Sequence, residues 1–374
     1  MHYLLIPDKF KDSLTAKEVI EAITKGIERA DPVAKINSVI ASDGGDGFLE
    51  AIANNINSEK FLVKTVDPLA RPIEAPYLYQ AATKSAYIEL AKASGLELLK
   101  ESERSALKTS TYGTGLQMLD AIKNGATTIY VGLGGSATND AGIGIAAAFG
   151  YTFLDKNGKA LEPIGENLTK IATIENNTTD DALKNISIYA VNDVTNPLFG
   201  TNGAAYVYAQ QKGATEKEIK ILDDGLQNLN SIIEKQWSIH NSTVSGAGAA
   251  GGTAFGLKTF LNANFVGGID FLLDLAQVSN ILEKNKIDYI ITGEGKIDSQ
   301  TANGKLVKGV IQMAKKYNIP VIGICGKLAI TSDEVLTMGL QNAFEIYDPK
   351  QGVAYSMQNA RKLVENTIFE FFKT

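Results

Sequence analysis

Residues 127–149 read TTIYVGLGGSATNDAGIGIAAAF, and this stretch decides the fold class. The β-branched and aromatic run TTIYV has the composition of a buried strand. The small and apolar residues from Asp140 to Phe149 have that of a helix. Between them stand closely spaced glycines, two hydroxyl residues and the pair Asn139–Asp140. A glycine turn between strand and helix belongs to an α/β sheet. Backbone N–H groups left unpaired at a helix start, together with the helix dipole, favour an anion such as phosphate. Taken alone, the glycines are equally accounted for by a tight turn that permits close packing. Asn139 and Asp140 point further, either to capping of the helix or to holding a metal-bound phosphate.

The same alternation runs outward from this segment. Strand patterns at 3–7, 35–41 and 60–66 flank helical patterns at about 16–30 and 47–55, and Thr15 with Glu18 stands at capping-box spacing. The last ninety residues repeat it, with DYIIT, GKLVKGVIQMAKKYN, PVIGIC, a short helix after Thr331, NAFEIYD and a terminal amphipathic helix. The middle differs. It carries more glycine, adjacent strands in IEAPYLYQAA and SAYIELA, and one long Leu/Ile-striped helix over 215–239. The expectation is two dissimilar α/β domains: residues 1–66 with 266–374 as one discontinuous domain, and 67–265 inserted into it. The Asp67–Pro68 cluster is read as the linker, and a ligand cleft is expected between the two.

Composition excludes several function classes. The 374 residues are 44% hydrophobic with a net charge of −6 and dispersed basic residues, which argues against nucleic acid or an anionic membrane as partner. No apolar run approaches the roughly 18 residues of a spanning helix, and MHYLLIP enters a strand pattern without a signal-peptide pattern; a cytoplasmic protein is expected. Cys325 is the single cysteine and reads as a core residue of VIGICG, so neither a disulfide within the chain nor a zinc cluster is expected. His2 is terminal and His240 follows a long helix, so a Ser-His-Asp or Cys-His site is not expected. With only four arginines, charge stabilisation falls to lysines, backbone N–H groups or metal ions, and carboxylates are the candidate bases and ligands.

Five polar or glycine-rich clusters stand at or near predicted strand ends, where α/β sheets present ligand loops. Pro7–Ser13 offers two lysines before a helix start. Ser42–Gly47 offers Asp43 and Asp46 between glycines, a pair that suits magnesium held through water, or equally an Asp-capped turn. Val191–Leu198 contains Asp193, the best base or ligand candidate of the middle block. SGAGAAGG at 245–252 holds a literal G-x-G-x-x-G, yet polar HNSTV precedes it where a dinucleotide site needs a strand; it reads as a second close-approach loop opening a helix near Ala249. The fifth cluster, Thr292–Asp298, sets Glu294, Lys296 and Asp298 between glycines after a buried strand. No GK pair has the Walker A spacing, and the kinase H-R-D and D-F-G sets are missing.

Nine ordered motifs together make the chain recognisable: PDKFKDSLTA, SDGGDG, YGTG, GLGGSATNDAGIG, NDVTNPLFG, GAAYVYAQQKGA, GAGAAGG, GGIDF and TGEGKIDSQTANGK. Across its whole length it resembles the type 1 bacterial glycerate kinases. The resemblance implies two dissimilar α/β domains, one Rossmann-like and discontinuous. It also implies ATP and magnesium as cofactors, and D-glycerate as substrate, usually phosphorylated to 2-phosphoglycerate. On that reading Asp193 is the base or orients the hydroxyl, and Lys11 neutralises the transferring group. Gly134, Gly135, Ser136, Thr138 and Asn139 cradle phosphates, and Glu294, Lys296 and Asp298 complete the nucleotide wall. Ser13 and Arg71 face the substrate, with Arg71 clamping its carboxylate, while Asp43 and Asp46 hold magnesium. The first motif is more often PDSFKGSL, so Lys9 and Asp12 depart from it, and Asn192 stands where cysteine is usual; Lys11, Ser13 and Asp193 stay in register. A nicotinamide-dependent hydroxy-acid dehydrogenase, suggested by GAGAAGG, a kinase for another small hydroxy acid, and a non-catalytic sensor are the competing readings.

Overall fold

The computed structural model describes residues 1–40, 45, 47–177, 184–299, 301 and 306–373. It divides into two compact units, Met1–Ser42 with Asn54–Ile56 and Ile269–Thr374, and Asp43–Ala53 with Asn57–Gly268. The strands in chain order are β1 (His2–Pro7), β2 (Lys35–Ser38), β3 (Glu59–Val66), β4 (Pro72–Gln80), β5 (Ser85–Glu89), β6 (Thr128–Gly132), β7 (Tyr151–Leu154), β8 (Thr173–Asn176), β9 (Ser187–Val191), β10 (Asn264–Val266), β11 (Tyr289–Ile297), β12 (Val321–Leu328) and β13 (Asn342–Glu345).

In the first unit β13–β12–β11–β1–β2 form an all-parallel sheet. Its strands are apolar on both faces because helices cover both. Tyr3, Leu5, Ile291 and Ile324 pack with Val19, Ile23 and Ile27 of helix Ala16–Ala30 and with Val364 and Ile368 of helix Ala360–Phe372. The alternate residues Leu4, Ile6, Ile290 and Cys325 pack with Val307, Val310 and Ile311 of helix Leu306–Lys316. Cys325 is fully buried, and desolvation pushes its thiol up to about 12. Helix Ala16–Ala30 starts at the expected capping box, with the Glu18 N–H donating to Thr15 Oγ1 (3.2 Å) and the Thr15 N–H to Glu18 Oε2 (2.8 Å). Numbered within the unit, the strand order is 2-1-3-4-5, one of the two common doubly wound orders. It places the topological switch between β1 and β11, the crevice where such sheets bind ligands.

The second unit holds a six-stranded sheet in the order β10–β9–β6–β5–β4–β3, parallel from β10 to β5 and antiparallel from β5 to β3. Ala86, Ile88, Ile129, Val131, Ile188 and Ala190 face its core. On the opposite face Tyr87, Tyr130 and Tyr189 are in register and stack at 5.4 and 4.9 Å, a cross-strand ladder that fixes the alignment of β5, β6 and β9. Helix Glu216–Trp237 starts at a second capping box, Thr215 with Glu218. Two expectations change here. The segment 60–66 belongs with the middle sheet: β3 pairs antiparallel with β4 along its length. Asp67–Arg71 is the tight turn of that hairpin rather than a linker. The Asp67 N–H donates to the Arg71 carbonyl, and Asp67 Oδ1 accepts from the N–H groups of Leu69 and Arg71, both at 2.9 Å. A carboxylate that satisfies two turn amides makes a proline-containing loop compact, which composition alone does not reveal.

Candidate active site

In the second unit the carboxyl ends of β5, β6 and β9 lie side by side at Glu89, Gly132 and Val191. The loop leaving β6 is pinned along its length. The Leu133 N–H donates to the Val191 carbonyl, the Leu96 N–H to the Gly135 carbonyl, and the Ala137 N–H to the Ser94 carbonyl. Gly134 is a forced glycine, since a Cβ there would sit 2.0 Å from the Cα of Gly45. The backbone of Gly45 therefore touches the glycine loop at its first turn. Asp43 and Asp46 themselves lie outside the described residues. Glu89, 1% exposed, accepts from the Leu49 N–H at 3.0 Å and so holds the start of helix Phe48–Asn55, which follows that segment. Burial pushes its carboxyl above the ordinary range.

Asp140 settles one expectation against the simplest anion-binding picture. The helix after the loop, Ile143–Ala148, is capped from within. Asp140 Oδ2 accepts from Thr111 N–H and Oγ1–H (both 2.8 Å) and from the Gly144 N–H (3.2 Å), and Oδ1 accepts from the Gly142 N–H (3.1 Å). The first helix N–H groups are thus consumed within the fold, Gly144 by this fully buried carboxylate, Ile143 by the Asp140 carbonyl (3.0 Å) and Ile145 by Thr111 Oγ1 (3.1 Å). Desolvation, the largest influence, raises its pKa. What remains for an anion is the loop itself. The backbone N–H groups of Gly134, Gly135, Ser136, Thr138 and Asn139 make no hydrogen bond among the described residues. Asn139 is fully buried, yet among the described residues neither its amide oxygen nor its amide nitrogen has a partner, and the Thr138 hydroxyl has none either. Buried polar atoms without partners are rare and mark a site that a ligand or water completes.

Sequence reasoning missed Lys212. It lies in the 3-10 turn Gln210–Lys212, is 2% exposed, and its Nζ donates to Ser136 Oγ (2.7 Å) and to the Thr138 carbonyl (2.6 Å). Desolvation lowers its pKa to about 7, partly opposed by the charge of Asp140. The only trace in the sequence is the motif GAAYVYAQQKGA, in which this lysine looks like any surface lysine.

The loops after β9 and before helix Ala249–Leu261 close the same end of the sheet. Asp193 Oδ1 accepts from the Gly268 N–H at 3.0 Å, and the Gly248 N–H donates to the Asn196 carbonyl at 2.9 Å. The GAGAAGG helix starts later than expected: Ala250, Gly251 and Gly252 are left-handed, because Gly251 packs its backbone onto Thr138, where a Cβ would meet the carbonyl at 2.1 Å. Residues 238–245 form no strand, so the dinucleotide fingerprint lacks its setting. Arg71 sits on the β3–β4 turn with Nε on Asp67 Oδ2 (2.5 Å) and Nη1 on Glu103 Oε1 (2.8 Å). Its Nη2 donates to the Leu98 carbonyl at 3.4 Å, so a substrate carboxylate would share a guanidinium already engaged by two carboxylates.

In the first unit, the loop after β1 and strand β11 meet at the switch point. The Asp8 N–H donates to the Gly293 carbonyl at 2.8 Å, and a Cβ on Gly295 would lie 3.3 Å from the Lys11 nitrogen. The loop closes on itself through Phe10 and Leu14, with Asp12 at φ 60, a conformation that explains why glycine suits this position. Lys11 is exposed and makes no ion pair among the described residues. Ser13 Oγ donates to the Met357 carbonyl at 3.0 Å. TGEGKI is the continuation of β11 rather than a loop, so Glu294 and Lys296 project to one side of the sheet. Glu294 Oε1 is buried without a partner among the described residues, and its pKa is raised by desolvation first, opposed by a hydrogen bond from Thr301 and assisted by Asp8 and Asp298. Lys296 Nζ is 2.8 Å from Asp298 Oδ2. This wall is acidic, suited to hydroxyl or amine donors rather than to phosphate. No group of three or more His, Cys, Asp or Glu among the described residues is arranged to hold a metal.

A doubly wound sheet with polar loops at its switch point, and a mixed sheet with an unfilled glycine cradle, define an α/β enzyme of small anionic ligands. The glycerate kinase family model matches residues 3–374. The glycerate kinase of Halalkalibacterium halodurans is 39% identical over 97% of this chain and 95% of its own length. The glycerate 2-kinase of Escherichia coli K12 is 38% identical over 92% and 90%. A crystal structure of a Salmonella typhimurium LT2 chain, provisionally assigned as glycerate kinase 2, superposes with a TM-score of 0.83 at 35% identity, covering 100% of this chain and 97% of that one. The chain belongs to the glycerate kinase family. No helix among the described residues is long and apolar enough to cross a membrane.

Proposed function

We propose that the chain transfers the γ-phosphoryl group of ATP to the C2 hydroxyl of D-glycerate, giving 2-phosphoglycerate and ADP, with magnesium. The observation that carries this reading is the cradle of five unpaired N–H groups over residues 134–139, with the orphaned Asn139 amide and Thr138 hydroxyl beside it. Such a nest matches the oxygens of a phosphate. Asp193 accepts the proton of the glycerate hydroxyl, or orients that hydroxyl, as its oxygen bonds to phosphorus and ADP departs. The Lys11 ammonium, held at a switch point and free of ion pairs among the described residues, offsets the charge of the moving group. Glu294, with Lys296 and Asp298 beside it, receives nucleotide hydroxyls. Ser13, whose hydrogen is given to Met357, keeps its oxygen as an acceptor for the substrate. Magnesium supplies charge neutralisation when bound. Its expected ligands Asp43 and Asp46 lie outside the described residues.

The test is ADP release from ATP with D-glycerate, against L-glycerate and no-acceptor controls, with and without magnesium, and phosphorus NMR of the product. Acceptor-dependent ADP with a single C2 phosphate ester is the expected result. A C3 ester overturns the regiochemistry. Turnover of other hydroxy acids without glycerate turnover overturns the substrate, and no turnover despite nucleotide binding leaves a sensor.

A further inference from the structure

Lys212 has no function in the reading above, and its surroundings demand one. An ammonium has three hydrogens. Two go to Ser136 Oγ and the Thr138 carbonyl, the third has no partner among the described residues, and no carboxylate lies within ion-pair distance of it there. Burying an unpaired cation is costly, and packing does not call for it, since a methionine fills the same volume. The two atoms it binds both belong to the loop in which five N–H groups, the Thr138 hydroxyl and the Asn139 amide lack partners among the described residues. A buried amine on one side of a loop and unpaired donors on that same loop among the described residues describe an anion site with its positive partner already in place.

We infer that Lys212 is the positioning residue of this site, fixing Ser136 and Thr138 and supplying the positive charge that holds an anion in the 134–139 loop. The inference rests on the proposed phosphate-cradle reading of that loop. The shared chemistry is an anionic oxygen group, met either by ATP phosphates or by the glycerate carboxylate. Of the charged groups on the elements around Lys212, Asp140 of the loop is the one that acts on its charge. Arg104, whose carbonyl packs on Gly213, and Glu216, Glu218 and Asp223 of the following helix do not. With a pKa near 7 in the free protein, the ammonium is mostly neutral above that pH, and an anion must then recruit a proton to bind.

The experiment measures ADP and, separately, D-glycerate binding by calorimetry from pH 7.5 to 9, where neither probe titrates, at fixed magnesium and ionic strength. Wild-type affinity for the anion that occupies the loop is expected to fall about fivefold or more over this range. Lys212→Met is expected to bind it about 10- to 100-fold more weakly at pH 7.5 with a flat profile, while exposed Lys217→Met behaves as wild type. Loss confined to ADP assigns phosphate as the anion, and loss confined to glycerate assigns the carboxylate. A flat wild-type profile for both probes overturns the inference even if the variant fails to fold, as does a folded Lys212→Met that binds both within threefold of wild type. Wild-type protein that turns over glycerate yet shows either result overturns the role of Lys212 alone. Wild-type protein that binds neither probe overturns the cradle reading as well.

Discussion

Replacing Lys212 with methionine should change how the stability of the second unit depends on pH, and the size of the change follows from burial. Free lysine titrates at 10.5, and burial lowers Lys212 to about 7. The sign is opposite to that of a lysine that gains a salt bridge. Between the two values the unfolded chain holds one more proton than the folded one, so stability increases with pH from about 7 towards 10.5 and the burden of the buried amine is full below 7. Each unit of pKa is worth about 1.4 kcal/mol, so from pH 7.5 to 9.5 the wild type should gain about 2 kcal/mol that Lys212→Met does not. Urea unfolding at pH 7.5, 8.5 and 9.5, followed by the fluorescence of Trp237, reads this directly. That indole is packed against Tyr151 and Phe260 inside the second unit. Other groups titrate alike in both proteins and cancel in the difference. A wild-type-minus-variant difference constant within about 0.5 kcal/mol over this interval would refute the reasoning.

Asp140→Ala strands four donors that now share one buried carboxylate, and should cost about 3–5 kcal/mol in urea unfolding of the second unit; a loss under about 1 kcal/mol would mean water replaces the carboxylate. Asp193→Asn should lower turnover by roughly two to four orders of magnitude while the ADP dissociation constant stays within threefold, and near-normal turnover would remove Asp193 from the proton-accepting role. Gly134→Ala drives a Cβ into the backbone of Gly45, not into a yielding side chain, so that backbone must retreat; kcat/KM should fall about tenfold or more with Tm little changed, and unchanged kinetics would show that Gly134 and Gly45 need not touch.

The sequence carried the alternation of strands and helices well, because continuous apolar strands flanked by capped amphipathic helices have few other solutions. Thr15–Glu18 and Thr215–Glu218 close as capping boxes at their helix starts. The loops at strand ends were legible for the same reason: glycines at 134 and 251 are dictated by backbone approaching backbone. Pairing partners were less legible. β3 has an alternating pattern that fits an edge strand in either unit, and only the turn amides bound by Asp67 direct it back onto β4. TGEGKI reads as a loop because of its glycines, yet β12 pairs with it through Ile297. Lys212 and Glu89 were invisible because burial of a charged side chain is a property of the neighbours it meets, which lie far off in sequence. Arg71 was assigned from its charge, and the two carboxylates that engage it come from Asp67 and Glu103.

Cys325 has a consequence beyond packing. The chain contains one cysteine and one tryptophan, and they fall in different units, Cys325 in the parallel sheet of the first and Trp237 in the second. With a thiol pushed up to about 12 and no exposure, Cys325 is inert to alkylating reagents until its own unit opens. The unaltered protein thus carries two internal clocks, a chemical one and an optical one. Comparing the rate of thiol capture with the rate of fluorescence change in mild urea would reveal whether the two halves open together or in turn.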